Sequence, residues 1–355
     1  MSRLDRFHRR LVNNGANTFS ERCLLCLLLP FSLLYGVLGW LRGKGYDYGL
    51  FASYRAAVPV ISVGNLAVGG TGKTPVVDWL LKAFLAQGRR PAVVSRGYGG
   101  TFADEVGLVS AGNGVLLPPA ASGDEPYLLA RRNPHALVLI ARKRAAGVHC
   151  AIEQHAADVV ILDDGFQHRA VVRDLDLVLL DARRPFGNGL PLPGGLLREF
   201  AGALKRSDLL LLTRADRPFN SNISAKPSWT CRHQLADHAI SLTGEKTPLA
   251  ALQGKKLLAF AGIADPATFF RALTAAGLNL AETLPLSDHV KFDTQSLTEV
   301  VTLSLGCDAL LTTEKDAVKL EAGMFAVPCY QVPMSIEIDQ EAELLAEITK
   351  RLWRE

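Results

Sequence analysis

The sequence predicts an α/β fold: a mostly parallel sheet with helices on both faces, a smaller second α/β lobe after it, and an apolar helix before it. Three observations carry this expectation. Short aliphatic runs alternate with helix-forming stretches, as strand–helix–strand units require. One such run leads into a glycine-rich loop, Val60-Ile-Ser-Val-Gly-Asn-Leu-Ala-Val-Gly-Gly-Thr-Gly-Lys-Thr-Pro75. Near the N-terminus, residues 23–41 carry no charge.

Composition bounds the answer. A chain of 355 residues makes one large or two modest domains, and 48% hydrophobic against 21% charged residues is enough for a core and excludes disorder. The net charge of +4 is mild, and no basic block is interleaved with aromatics, so no nucleic-acid partner is expected. No obligate protein partner is expected either. The six cysteines are scattered, as suits a reducing cytosol. Cys23 and Cys26 form a Cys-x-x-Cys inside the apolar run, but no second ligand pair lies nearby, so packing or lipid contact is expected there rather than zinc.

Residues 1–44 read as a basic N-terminus and a membrane-associated helix. Arg3, Arg6, Arg9, Arg10 and Arg22 outweigh Asp5 and Glu21, and Arg42 and Lys44 close the uncharged run. That run meets the length of a membrane helix. No small-residue cleavage site follows, which argues against a signal peptide. The basic end prefers the cytoplasm, and a nucleotide loop further along needs the cytosol too. A helix lying in or dipping into the inner leaflet satisfies both. Pro30 is placed to kink it, and Ser32, Gly36 and Gly39 fall near helical spacing as a packing face. A buried helix of a soluble body is the alternative.

Residues 45–217 read as the core. Val60, Ile61 and Val63 are strand formers, and residues 76–85 read as a helix. Between them Gly69, Gly70, Thr71 and Gly72 form a loop whose amides, with the helix N-terminus, converge on one anion site. Lys73 would reach the β- and γ-phosphates and the Thr74 hydroxyl would sit on Mg²⁺. The motif places a glycine five residues before Gly72, where this chain has Ala67. With that loop the sheet reads as a P-loop NTPase-like one. Residues 91–95 form a second strand, and Arg96-Gly-Tyr-Gly-Gly100 follows at its carboxyl end, where open α/β sheets bind ligands. A loop-rich stretch leads to Gly123-Asp-Glu-Pro126, then a helix over 127–132, a strand over 136–140 and a helix over 144–155. The strand 159–164 ends in Asp163 and Asp164, the acid that sits beside nucleotide-bound Mg²⁺ in such folds. Residues 176–181 and 208–213 are further buried strands, separated by a Gly/Pro loop that closes in Leu197-Arg-Glu-Phe200.

Residues 218–250 lack periodicity, hold Pro218, Pro227 and Pro248, and read as a linker. Residues 251–355 read as the smaller lobe: a strand from 255, a helix over 266–276, a strand over 309–313 and a terminal amphipathic helix over 341–353.

A kinase needs a base at the acceptor hydroxyl. Asp124 and His289, both expected on loops, are candidates, and a carboxylate paired with a histidine would be held in orientation. The set Gly64 to Pro75, Ser95-Arg-Gly-Tyr-Gly99, Gly123-Asp-Glu-Pro126, Asp163-Asp-Gly-Phe-Gln-His168, Leu197-Arg-Glu199 and Thr313-Glu-Lys-Asp316 resembles the tetraacyldisaccharide 4′-kinases, the lipid A 4′-kinases of Gram-negative bacteria. Phe200 stands where the family pattern calls for proline. The resemblance implies transfer of a phosphoryl group from ATP, with Mg²⁺, to the 4′-hydroxyl of an acylated glucosamine disaccharide 1-phosphate in the inner membrane, at its cytoplasmic face. It implies Asp124 as base with His289 oriented against it, Arg144 near the phosphoryl oxygens, and Asp163, Asp164 and Glu199 at or near the metal. Tyr98, Gln167 and His168 are further site candidates by the same resemblance. Two readings stay open from the residues alone: a membrane-associated nucleotide switch, and a soluble small-molecule kinase.

Overall fold

The computed structural model describes residues 11–12, 15–16, 18–70, 72–215 and 225–353. Thr71, the first ten residues and 216–224 lie outside the described residues, and with them the loop position assigned to Thr71 and four of the N-terminal arginines.

Helix α1 spans Phe19–Asp47. A capping box starts it: Thr18 Oγ1 accepts from Glu21 N, and Glu21 Oε2 accepts from Thr18 N at 2.9 Å. Pro30 sits inside the helix, which continues through it. Ser32 and Gly36 are its buried face, while Leu27, Phe31, Leu34, Leu38, Trp40 and Leu41 are exposed. The alternative of a helix buried in a soluble body is therefore not what the structure shows. Contact is one narrow stripe, where Gly194 N donates to Ser32 Oγ at 2.8 Å and a Cβ on Gly36 would come within 2.5 Å of the Phe200 ring.

The core follows as β1 (Val60–Asn65), α2 (Lys73–Ala86), β2 (Pro91–Ser95), β3 (Val106–Ala111), α3 (Pro119–Ser122), α4 (Asp124–Arg132), β4 (Leu137–Ala141), α5 (Arg144–Glu153), β5 (Val159–Asp163), β6 (Leu175–Asp181) and β7 (Leu209–Thr213). After residue 224 come β8 (Ser228–Leu235), β9 (His238–Ser241), β10 (Lys246–Pro248), β11 (Leu257–Ala261), α6 (Pro266–Ala275), β12 (Leu280–Pro285), α7 (Thr294–Ser304), β13 (Ala309–Thr313), α8 (Glu314–Ala317), β14 (Cys329–Val332), β15 (Met334–Ile338) and α9 (Glu341–Leu352).

Among the described residues, nine strands form the main sheet in the order β15-β8-β7-β6-β1-β5-β2-β4-β3, and six form the second, β10-β9-β14-β13-β11-β12. In the main sheet β3 and β15 pair antiparallel to their neighbours, and the other described pairs are parallel. β1 is central, parallel to β5 and β6, and buried along its whole length. Continuous aliphatic strands such as Val159–Asp163 and Leu209–Thr213 are buried on both faces because helices cover both.

The linker expected over 218–250 is corrected by the structure. Its described part holds three strands: β8 joins the main sheet, and β9 and β10 join the second. β15, placed by sequence in the smaller lobe, pairs with β8 in the main sheet. The chain therefore crosses between the sheets twice, after β8 and after β14. These strands escaped detection because β8 is an edge-side strand of mixed polarity, Ser-Trp-Thr-Cys-Arg-His-Gln-Leu, whose pairing is decided by β7 and β15 rather than by its own pattern. β3 was likewise hidden in a stretch read as loop.

Candidate functional site

The phosphate loop leaves the carboxyl end of β1, where it meets the start of α2. Gly72 caps α2 at φ 81°, and among the described residues no side chain caps the helix, whose first amides suit an anion. A Cβ on Gly72 would fall 2.9 Å from the His233 ring, a second reason for glycine there. Ala67, the missing glycine of the motif, forms a β-bridge with Leu197, flanked by Val68 N to Leu196 O and Arg198 N to Leu66 O, both 2.8 Å. Its φ is not positive. The loop starts as paired strand, so this position needs no glycine.

Lys73 Nζ lies 3.2 Å from Asn65 Oδ1 and 3.3 Å from Asp164 Oδ1. At the end of β5, buried Asp163 accepts from Ser95 Oγ at 3.0 Å. Burial, then the neighbouring Glu125 and Asp164 carboxylates, push Asp163 up to about 6. Burial opposes ionisation of Asp164 too, but Lys73 and Arg198 outweigh it and hold that carboxyl below its ordinary value. Arg198 Nη1 is 2.7 Å from Asp164 Oδ2. Asp164 Oδ1 has Lys73 in ion-pair range but no aligned hydrogen bond, so a buried acceptor is left over beside Lys73. Among the described residues no group of three or more His, Cys, Asp or Glu gathers as a metal site.

Arg144 is buried, donates from Nη1 to Ala141 O at 2.7 Å, and leaves Nε without a partner. Burial lowers it to about 10, which still leaves it charged near neutrality. Tyr98 stacks edge-on against His289, centroids 5.1 Å apart.

Asp124 opens helix α4 rather than lying on a loop. Gly123 before it has φ 86°, and a Cβ there would sit 2.5 Å from Tyr98 O, so only glycine lets the chain turn into this helix. His289 comes from the smaller lobe at φ 58°, a left-handed conformation uncommon outside glycine, and its Nδ1 lies 3.4 Å from Asp124 Oδ2. Burial would raise the Asp124 carboxyl, but the contacts of His289 and Lys319 prevail and hold it below its ordinary value.

A cleft of about 550 Å³ joins these parts, bordered by Gly69, Gly70, Gly72, Lys73, Thr74, Tyr98, Arg144, Asp163, Asp164 and His289, and by Tyr35 of α1. Asp124 lies behind His289 rather than on the cleft wall. Gln167 and His168 also stand back from it. Gln167 Nε2 donates to Asn65 O at 3.0 Å and so braces the end of β1. Burial, then Arg144, lowers His168 to about 4, which keeps it neutral. Glu199, expected at or near the metal, pairs here with Arg206. Both its oxygens accept from Arg206 at 2.9 Å, and it does not border the cleft. Its carboxylate is taken up by that guanidinium, which lies over the Phe166 ring, 4.7 Å from the centroid.

Sequence reasoning missed several groups that the fold brings in. Lys315 Nζ sits 3.2 Å from Glu125, Asp288 and His289 Nε2. Lys319 pairs with Asp124, Arg132 with Glu314, and Arg214 with Asp265 while donating to Gly70 O. The Thr313-Glu-Lys-Asp316 block was the available signal for Lys315; nothing in the sequence marked Lys319 or Arg214. These contacts hold the two lobes together across the cleft.

Comparison with known proteins gives the family. Residues 24–353 match the family described as tetraacyldisaccharide-1-P 4′-kinase. A tetraacyldisaccharide 4′-kinase of Syntrophotalea carbinolica is 48% identical over 345 residues, covering 97% of each chain. Its counterpart from Geobacter sulfurreducens is 40% identical over 348 residues, covering 98% of this chain and 99% of the relative. Among solved structures, the "apo" form of Aquifex aeolicus LpxK in complex with ATP superposes with a TM-score of 0.79 at 32% identity, covering 93% of this chain and all of that one.

Proposed function

The chain belongs to the tetraacyldisaccharide-1-P 4′-kinase family, and from that premise we propose how its residues carry out the reaction. The enzyme is an ATP-dependent kinase that phosphorylates the 4′-hydroxyl of a lipid A precursor. One observation supports the assignment of roles: the phosphate loop, the Asp163–Asp164 pair and His289 border one cleft, and His289 touches Asp124 behind it, although they come from two lobes.

Phosphoryl transfer asks mainly for positioning and charge stabilisation. The loop amides from Gly69 to Gly72 cradle the β- and γ-phosphates, and Lys73 and Arg144 place positive charge on the oxygens that gain charge in transfer. Thr74 and Asp164, with Asp163 beside it, are the residues that would hold Mg²⁺. Bound there, the ion would neutralise phosphate charge. Asp124 takes the proton from the 4′-hydroxyl as that oxygen bonds to the γ-phosphorus. The bond from the γ-phosphorus to the β,γ-bridging oxygen breaks, and ADP leaves. Asp124 must reach the acceptor past His289, so a small shift of the His289 loop accompanies acceptor binding.

The acceptor is membrane-resident, and the exposed face of α1 supports a seat for the enzyme on the cytoplasmic side of the inner membrane. Tyr35 of that helix borders the same cleft as Lys73. An acylated disaccharide can thus keep its chains along α1 while its sugar reaches the nucleotide.

The test is transfer of label from γ-labelled ATP to an organic-extractable lipid. Asp124→Asn is expected to lower turnover by about 10²–10⁴-fold, the usual worth of a general base, and His289→Ala by less. Near-normal turnover of Asp124→Asn would remove Asp124 from the base role.

A further inference from the structure

Asp124 has a closer partner than His289. Lys319, just beyond α8 in the smaller lobe, brings its Nζ to 2.7 Å from Asp124 Oδ2. The same ammonium donates to Val290 O at 3.0 Å, next to His289 in the chain. The Lys319 and Asp124 side chains are only 12% and 14% exposed, so little water screens the pair. The other charged groups around Asp124 are accounted for. Lys315 from α8 adds positive charge but makes its own contacts with Glu125 and Asp288. Glu125 on α4 and Asp288 on the His289 loop share that one ammonium. The nearest uncompensated influence on Asp124 is the Lys319 ammonium, and it is present only while the smaller lobe rests against α4.

We propose that Lys319 is a positioning residue for the phosphoryl transfer: lobe closure sets its ammonium on Asp124 Oδ2, which keeps the carboxylate ionised and fixed while its other oxygen is left for the acceptor proton. The inference rests on Asp124 being the base. It gives the smaller lobe a chemical part in the reaction beyond covering the cleft.

The experiment is the pH profile of kcat/KM for the lipid acceptor in mixed micelles, using the full chain. Parent, Lys319→Met, Lys319→Gln and Lys319→Arg are compared, with Asp124→Asn as reference. Activity falls as pH drops through the base's pKa. Removing a cation that lowers this value must therefore move the acidic limb upward, by about one unit or more. The expected result is that shift in both neutral variants and its reversal in Lys319→Arg, with ATP affinity little changed. Loss of activity with an unmoved limb would make Lys319 merely structural and overturn the proposal, as would unchanged kinetics or a failure of both neutral variants to fold. If Asp124→Asn keeps near-normal turnover, the base assignment itself has failed, a result separate from any Lys319 outcome.

Discussion

Two adjacent carboxylates at the end of β5 are driven apart by their surroundings. Asp164 has Lys73 and Arg198 within ion-pair distance, while on Asp163 burial and two negative neighbours, Glu125 and Asp164, prevail over Lys73 and the serine hydroxyl. Sequence placed both near the metal without separating them. The separation has a consequence for stability. The folded value of Asp163, about 6, exceeds its ordinary 3.8, so the native chain binds that proton more tightly than the unfolded chain. The resulting stabilisation is complete below the ordinary value and is lost as pH rises through the folded one. Above that window the ionised group destabilises the nucleotide-free protein. Asp163→Asn is therefore expected to raise Tm in chelator at about pH 7.5, by roughly 2–4 °C per kcal/mol regained, and to abolish label transfer. The gain should shrink toward about pH 5, where the parent is protonated too. A lower Tm for the variant at the higher pH would contradict the account.

At the scale of elements, α1 and the segment 188–200 act as a unit. Ser32 and Gly36 were legible as a small-residue face from helical spacing alone, but their partner was not. The structure supplies it in Gly194 and Phe200. Phe200, which departs from the family pattern, has its ring directly over Gly36. The same segment bridges to Ala67 and sends Arg198 to Asp164, so the seat of α1 and the start of the phosphate loop share one strand-like support. Gly36→Leu should force the Phe200 ring out and cost about 1–3 kcal/mol, read as a lower Tm, and Phe200→Ala in the same chain should recover most of it. An unchanged Tm in Gly36→Leu would mean that this packing does not hold in solution.

Across the whole molecule the lobes meet through charge as well as apolar contact. Asp124–Lys319, Glu125–Lys315, Arg132–Glu314 and Arg214–Asp265 all join the two lobes, and Leu235 of β8 and Met334 of β15 pack against the core of the second sheet. Charge contacts of this kind are directional pairs that can break and re-form as the lobes move, which suits lobes that must admit a lipid headgroup and release ADP. α1 projects from this body with its apolar face bare. Deleting residues 1–42 is expected to move the protein from the membrane fraction to the soluble one and to lower turnover on lipid in micelles at least several-fold, while ATP binding stays near the parent value. Flotation and ATP titration check the two halves. A truncated chain that still floats with membranes would place the anchor elsewhere.

The sequence by itself determined the class of the main sheet, the phosphate loop, the Asp163–Asp164 pair and the apolar helix, because each is a local signal: an aliphatic run, a glycine spacing, a stretch without charge. Asp124 and His289 were legible only as loop residues of the right chemical type, raised by the motifs around them. Tertiary structure decided what depended on partners distant in the chain. It placed Asp124 at a helix start and gave it Lys319, turned the supposed linker into strands of both sheets, and explained Ala67 by a bridge to Leu197. The physical reason is common to all three. A side chain's charge state, a strand's pairing and a backbone dihedral are fixed by what packs against them, and residues a hundred or more positions away leave no mark on the local pattern.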